Sequence, residues 1–335
     1  MKTIAIILAL IIASSTVSAL SVYYLFQPTT PSEKRLKIAF TFTSPISEPF
    51  VARHYEAYQQ AKEELNVDAA WSDSVASGDM ERICRQYAEQ GYDIVWADGS
   101  VFEVSLRSLV NDYPNVTFMA YTGKGPQAPN LGSYITELRE PGYLMGMIAG
   151  LMTKTNVVSV VGAYPIPSIN RYTWTYYMGA HEVNPNVSVK VSYIEAWYDP
   201  VKAKEMALAQ IDAGSDVVYA TRYGAIEAAV QRGVYAIGHG DDQHSLGNDT
   251  VITSTLYDVY PLVKEVIRLV RANAWEPRDF TAMFEMKNGG SDIAPYYNFE
   301  TILPASVKAI IADRRQAIIN GTYVVELRVS APPSD

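Results

Sequence analysis

Short runs of consecutive apolar residues alternate with longer stretches of mixed polarity along almost the whole chain. Residues 36–42 (LKIAFTF), 67–71, 92–97 and 116–121 are apolar on nearly successive positions, as strands covered on both faces must be. Between them, residues 50–65, 79–90 and 102–112 carry their apolar side chains at helical spacing. Gly91 stands where the second of these helices must stop, a position that favours left-handed backbone. Strands alternating with helices of this length predict βαβ units and a parallel sheet with helices on both faces.

The same order then recurs. Residues 157–162, 187–194, 216–220 and 233–238 predict strands, with helices reaching to about 183 and over 202–213 and 225–232. Pro45-Ile46-Ser47 matches Pro165-Ile166-Pro167 at an offset of 120 (165 − 45), and Gly91-Tyr92-Asp93 matches Gly214-Ser215-Asp216 at an offset of 123 (214 − 91). Two near-equal offsets point to a duplicated architecture. A last segment adds a strand over 250–255, a helix over 260–273, a strand over 280–286 and a helix over 304–320. Returning the strand at 250 and its helix to the first lobe gives lobe 1 as residues 36–137 plus 248–290. Lobe 2 is then 138–247 plus 291–330. The fold expected is α/β: two Rossmann-like lobes with parallel sheets, joined by a hinge with crossings near 137, 247 and 290. Such a hinge lets a cleft open and shut.

Ahead of the first strand, Met1-Lys2-Thr3 leads into an apolar run over residues 4–26. A basic start before such a run is an export signature, and Val17-Ser18-Ala19 resembles a small-residue cleavage site. The run also reaches the roughly 20 residues that span a bilayer, so residues 1–26 fit a membrane anchor as well as a removed signal. Residues 27–35 read as a stiff linker. Cys84 is the one cysteine, which excludes an intramolecular disulfide and a lipidated cysteine near the start. The chain has 335 residues, 48% of them hydrophobic, and a net charge of −9. That is enough for one or two ordinary cores, and the charge argues against nucleic acid as a partner. Asn-x-Ser/Thr sequons at Asn115, Asn186, Asn248 and Asn320 accord with export.

Ligands of parallel α/β sheets sit beyond the carboxyl ends of the strands. Those ends fall at 44–50, 98–102 and 121–125 in the first lobe. In the second they fall at 164–172, 196–199, 221–223 and 239–243, with Tyr257 and Asp258 from the returning segment. They carry rings, carboxylates, amides and few cationic side chains. This suits a flat heteroaromatic solute better than an anion.

Several stretches together resemble a known family. They are Ser44-Pro45-Ile46-Ser47, RICRQYAEQGYD (82–93), GYLMGMIAGLMTKTNVVSVVGAYPIP (142–167), Val183-Asn184-Pro185, Trp197-Tyr198-Asp199-Pro200 and Gly238-His239-Gly240-Asp241-Asp242-Gln243. In this order and spacing, over about 37–325, the chain resembles the basic membrane protein family of ABC-transporter substrate-binding proteins, which includes purine nucleoside receptors. The resemblance implies a periplasmic-binding-protein fold of the first type, a purine nucleoside or nucleobase as ligand, ABC permease subunits as partners, and an extracytoplasmic or cell-surface location. It implies binding without catalysis and without a cofactor; we expect a monomer. Phe50 and Trp197 match the family's two aromatic positions, implying a base sandwiched between the lobes. The family's Gly-Val-Asp-Ser-Asp-Gln loop keeps Asp242 as the implied polar anchor, loses the first aspartate to Gly240 and gains Asp241. Glu48 stands for the usual aspartate before the first ring, and Asp258 for a frequent asparagine beside Tyr257. Asp98 and Phe102 join the candidates by their place after a strand. Arg222 and Arg171 are candidates to pair with these acids, Arg171 as a closure ion pair.

Other chemistries lack their signatures. His239 and His244 flank Asp241 and Asp242, but no HExxH or Cys/His cluster exists. Phosphate-cradling GxxxxGKS/T and Gly-x-Ser-x-Gly motifs are absent. A sensory receptor or a sugar-binding protein would share the fold, and a nucleoside hydrolase would need an aspartate cluster at one strand end.

Overall fold

The structure, a computed structural model, describes residues 35–335 apart from 47, 100 and 101. The anchor or signal expected over residues 1–26 lies outside the described residues, as does nearly all of the linker. Among the described residues no helix is long and apolar enough to cross a membrane.

The first sheet holds β1 (Leu36–Phe42), β2 (Val67–Ser72), β3 (Ile94–Asp98), β4 (Thr117–Tyr121) and β5 (Leu131–Tyr134) in the order β2-β1-β3-β4-β5, all parallel. Helices α1 (Pro49–Glu64), α2 (Met80–Glu89) and α3 (Glu103–Leu109) connect them. β1 and β3 are buried almost throughout, which is why they read as unbroken apolar runs. α2 instead buries one stripe, Met80, Cys84 and Ala88, four residues apart.

The second sheet holds β6 (Val157–Gly162), β7 (Ser188–Tyr193), β8 (Val217–Ala220), β9 (Tyr235–Gly238), β10 (Val251–Tyr257) and β11 (Ser291–Ile293), ordered β11-β10-β9-β8-β6-β7. Only β11 runs antiparallel. Its helices are α4 (Arg139–Met152), α5 (Pro167–Val183), α6 (Pro200–Asp212) and α7 (Ala225–Arg232), with α8 (Tyr260–Arg271), α9 (Phe299–Ile302) and α10 (Ala305–Ile319) following. The orders β2-β1-β3-β4 and β7-β6-β8-β9 are the same order twice, so the repeat seen in the sequence is a repeat of topology. Gly91 and Gly214 both take left-handed backbone, at φ 74° and 104°.

Two expectations are corrected. The strand near 250 belongs to the second sheet: Val251 and Ser254 of β10 pair with Ala236 and Gly238 of β9. The chain therefore returns to lobe 1 after β10, near 258, and not near 247; α8 then packs on α1. Residues 280–286 do not form a strand. Thr281–Phe284 and Met286–Asn288 are short 3-10 turns, and only the stretch just before them joins the first sheet, where Phe280 N–H donates to Ser133 O at 2.8 Å. β5, α4 and β11 were not anticipated.

α4 follows the first crossing directly and is buried from Glu140 to Gly150. It lies on α5 with almost no side-chain layer between the two backbones. A Cβ on Gly146 would sit 2.0 Å from Tyr176 O, and one on Gly179 would sit 2.1 Å from Tyr143 O. At the third crossing, Met286 N–H donates to the buried Glu140 carboxylate at 2.7 Å. Gly146→Ala must push the two helices apart and is expected to lower stability by about 1–3 kcal/mol or more, read from equilibrium denaturation. An unchanged unfolding midpoint would mean the helices do not touch there.

Candidate functional site

The carboxyl ends of all the parallel strands but β2 contribute to one cavity of about 1110 Å³, solvent at its mouth included, lined from both lobes. On the lobe 1 side the turn after β1 supplies Thr43, Ser44, Glu48 and Phe50. Glu48 caps α1: its carboxylate accepts the Val51 N–H at 3.1 Å. It is only 6% exposed. Burial pushes its carboxyl above the usual range, and the Arg222 guanidinium of the other lobe is the largest influence pulling it back. Phe50, in the first turn of α1, packs edge-on against Tyr121 at 5.1 Å.

The lobe 2 wall holds Ser168, Tyr172, Trp197, Arg222 and His239. Trp197 packs edge-on to Tyr164 at 5.1 Å. Arg222 donates to Trp197 O at 3.3 Å and to the Tyr172 hydroxyl at 3.4 Å, which ties the guanidinium to the wall. Asp199 caps α6 by accepting the Lys202 N–H at 3.0 Å.

Beneath the lobe 1 wall lies a sealed polar group. Asp98 and His54 are fully buried, with His54 Nε2 3.5 Å from Asp98 Oδ1. The Tyr134 hydroxyl donates to the same oxygen and receives the Trp96 indole N–H at 2.9 Å. His54 Nδ1 sits 2.7 Å from Phe50 O, which links this group to the ring above it. Burial raises the Asp98 carboxyl above its usual range, against the pull of His54 and Tyr134.

Of the residues singled out in the sequence, Glu48, Phe50, Trp197, Arg222 and Tyr257 line the cavity. The Tyr257 hydroxyl is buried without a partner there. The other six do not line it. Asp98 lies under the floor. Phe102 is packed in the outer core of lobe 1 with Met80, Val95 and Leu106. Asp241 pairs with Arg53 of α1 at 3.3 Å, bridging the lobes. Asp242 accepts the Tyr297 hydroxyl and the His244 N–H, so it holds its own loop rather than the cavity. Asp258 accepts the Tyr260 N–H at 2.9 Å and starts α8. Arg171 pairs with Glu137 on the first crossing. Tyr172, Tyr121 and Gln243 line the cavity but were not singled out, and His239, also in the lining, was weighed only for a metal; all four fall in or beside the strand ends read from the sequence. Among the described residues, no group of three or more His, Cys, Asp or Glu could hold a metal ion.

Residues 35–326 match the family described as ABC transporter substrate-binding protein, PnrA-like. The chain is 27% identical over 296 residues to a purine-binding protein of Brucella abortus, across 87% of this chain and 83% of that one. It is 29% identical over 255 residues to a putative ABC transporter glucose-binding protein of Haloferax volcanii, across 75% of this chain and only 65% of that protein's length. A solved solute-binding protein of an ABC transporter system from Aeropyrum pernix shares the fold, with a TM-score of 0.74 over 87% of this chain and 94% of that one, at 20% identity.

Asp98→Ala leaves the Tyr134 hydroxyl without its acceptor in a fully buried site and should cost about 1–3 kcal/mol. Asp98→Asn retains an acceptor oxygen and should cost less. Because the folded state holds the Asp98 proton to higher pH than the unfolded chain, its contribution is full below the ordinary value of 3.8 and is lost as pH rises through the raised one. The Asn variant should therefore gain on the wild type as pH climbs above about 4. Urea titrations across pH check both statements; a constant difference between the two proteins would contradict the second.

Proposed function

The chain belongs to the PnrA-like family of ABC transporter substrate-binding proteins, and we propose that its cleft captures a purine nucleoside or nucleobase for delivery to an ABC permease. The family is extracytoplasmic, its members bind small solutes and they meet permeases. The observation that carries the purine reading is the lining of one cavity by rings from both lobes, Phe50 on one side and Trp197 on the other. A planar heterocycle gains stacking on each ring as the cleft shuts, on the order of 1–3 kcal/mol per ring. Between the rings, Glu48 accepts N–H groups, while Arg222 and the unpartnered Tyr257 hydroxyl meet acceptors or hydroxyls. The Brucella relative's name points the same way. On this reading the protein works as a monomer, and residues 4–26 keep it at the membrane surface unless they are removed.

Calorimetry and thermal shift with adenine, hypoxanthine, adenosine, guanosine, ribose and glucose test this. A purine at about 100 times its Kd should stabilise the protein by about 2.7 kcal/mol. Trp197→Ala should weaken that purine by roughly 5- to 160-fold. A folded Trp197→Ala variant with unchanged affinity would remove the ring from the site. Binding of glucose in place of every purine would move the reading to sugars, as the Haloferax relative's name has it.

A further inference from the structure

His239 follows β9, lines the cavity and is partly exposed. Its ring packs on Tyr172 at 4.4 Å, which fixes its plane. Its Nδ1 lies 2.7 Å from the Tyr219 hydroxyl and 3.3 Å from Thr255 Oγ1. Both hydroxyl residues are fully buried, and Thr255 Oγ1 already accepts the Gly240 N–H at 3.0 Å.

Counting hydrogens in this cluster decides the tautomer. If Nδ1 is bare, it accepts from a hydroxyl, and each hydroxyl hydrogen has somewhere to go. If Nδ1 carries a hydrogen, Tyr219 accepts it, Tyr219 donates to Thr255, and the Thr255 hydrogen is left without an acceptor. A buried hydroxyl left unpaired is the costly outcome. Nδ1 is therefore bare. Burial, and then the Arg222 guanidinium, hold the imidazole well below its ordinary pKa of 6.5, so the ring is neutral. Its single hydrogen sits on Nε2, for which there is no hydrogen-bond partner among the described residues. The next residue cannot share the task. Gly240 has no side chain, and a Cβ there would already sit 3.0 Å from the Tyr257 ring, at φ 79°.

We propose that His239 determines specificity: Nε2–H donates to an unprotonated ring nitrogen or a carbonyl oxygen of the solute, so the edge facing lobe 2 must be an acceptor edge. This rests on the reading of the cavity as a purine site and adds an orientation to it. Arg222, on the same wall, is also donor-only, and Glu48 faces them from lobe 1. An aminated or oxo heterocycle satisfies both walls at once. A solute that turns a ring N–H or an amino group toward Nε2–H is rejected, because two donors then face each other.

Calorimetry with wild type, His239→Val and His239→Gln, each checked for folding by thermal melt, tests the inference. The probes are adenine, 1-, 3- and 7-deazaadenine, hypoxanthine, and the ribonucleoside of each. Wild type should lose about three- to tenfold in affinity for the deaza compound that lacks the contacted nitrogen. His239→Val should lose as much for adenine itself and no longer discriminate that compound, and His239→Gln should recover part of both. If the acceptor is a carbonyl, hypoxanthine shows the loss in His239→Val instead.

His239 should add no pH dependence to affinity between about pH 6 and 8, so wild type and His239→Gln should follow one profile there, Glu48 of the facing lobe contributing equally to both. The groups packed around the imidazole are Tyr219 of β8, Arg222 beyond β8, Tyr172 of α5, Thr255 and Tyr257 of β10, and Gln243, whose side-chain oxygen accepts the His239 N–H at 2.9 Å. Affinity that falls in wild type alone as pH rises through about 6.5 would mean a charged donor and would overturn the neutral assignment. A wild type that binds purines while His239→Val binds them equally well, with the same discrimination, overturns the inference alone. A wild type that binds none of the probes overturns the purine reading and this inference with it.

Discussion

A parallel strand delivers loop side chains to one edge of its sheet only, and here two such edges face each other. Everything in the cleft descends from that constraint. Glu48 and Phe50 leave β1, Trp197 leaves β7, Arg222 leaves β8 and His239 leaves β9, all in the same direction relative to their sheets. Residues nearly 200 positions apart thereby line one space. The duplicated strand order makes the two walls alike in plan, while their chemistry differs. One wall presents a carboxylate and the other a guanidinium and a neutral imidazole.

The second theme is the amount of polar chemistry withdrawn from water where the lobes meet. Glu48 stays buried because it is bonded to the first turn of α1. Asp98 stays buried because Tyr134 and His54 share one of its oxygens. Through the Phe50 carbonyl, the same His54 joins this hidden group to a ring at the surface of the cavity. Rings placed in this way do not need the ligand to hold them in position, which lowers the entropic cost of binding.

Much of this was legible in the sequence, for a physical reason. Strands buried on both faces announce themselves as apolar runs, and their carboxyl ends then fix where a ligand can sit. Those ends bracketed Glu48, Phe50, Trp197 and Arg222, and the family resemblance then picked out the acid and the two rings. What the sequence lacked was direction. Asp98 and Phe102 stand at the carboxyl end of β3, as the other candidates stand at theirs, yet the carboxylate turns under the floor and the ring turns into the outer core. Asp242 sits in the right loop and is spent on Tyr297 and His244. β10 went to the wrong lobe because pairing with β9 leaves no local mark in either strand. His239 was visible only as one of two histidines beside acids. Its role depends on Tyr219 and Thr255, which arrive from strands on either side of β9.

The contact between α4 and α5 bears on how the cleft moves. Packed helices ordinarily slide a little over one another because their side chains can switch rotamers. Backbone touching backbone at Gly146 and Gly179 leaves no such lubricant. α4 begins right after the first crossing, and α5 carries Tyr172 against His239. The two helices thus form one stiff unit that ties the first crossing at Glu137 to the Tyr172 and His239 side of the cavity.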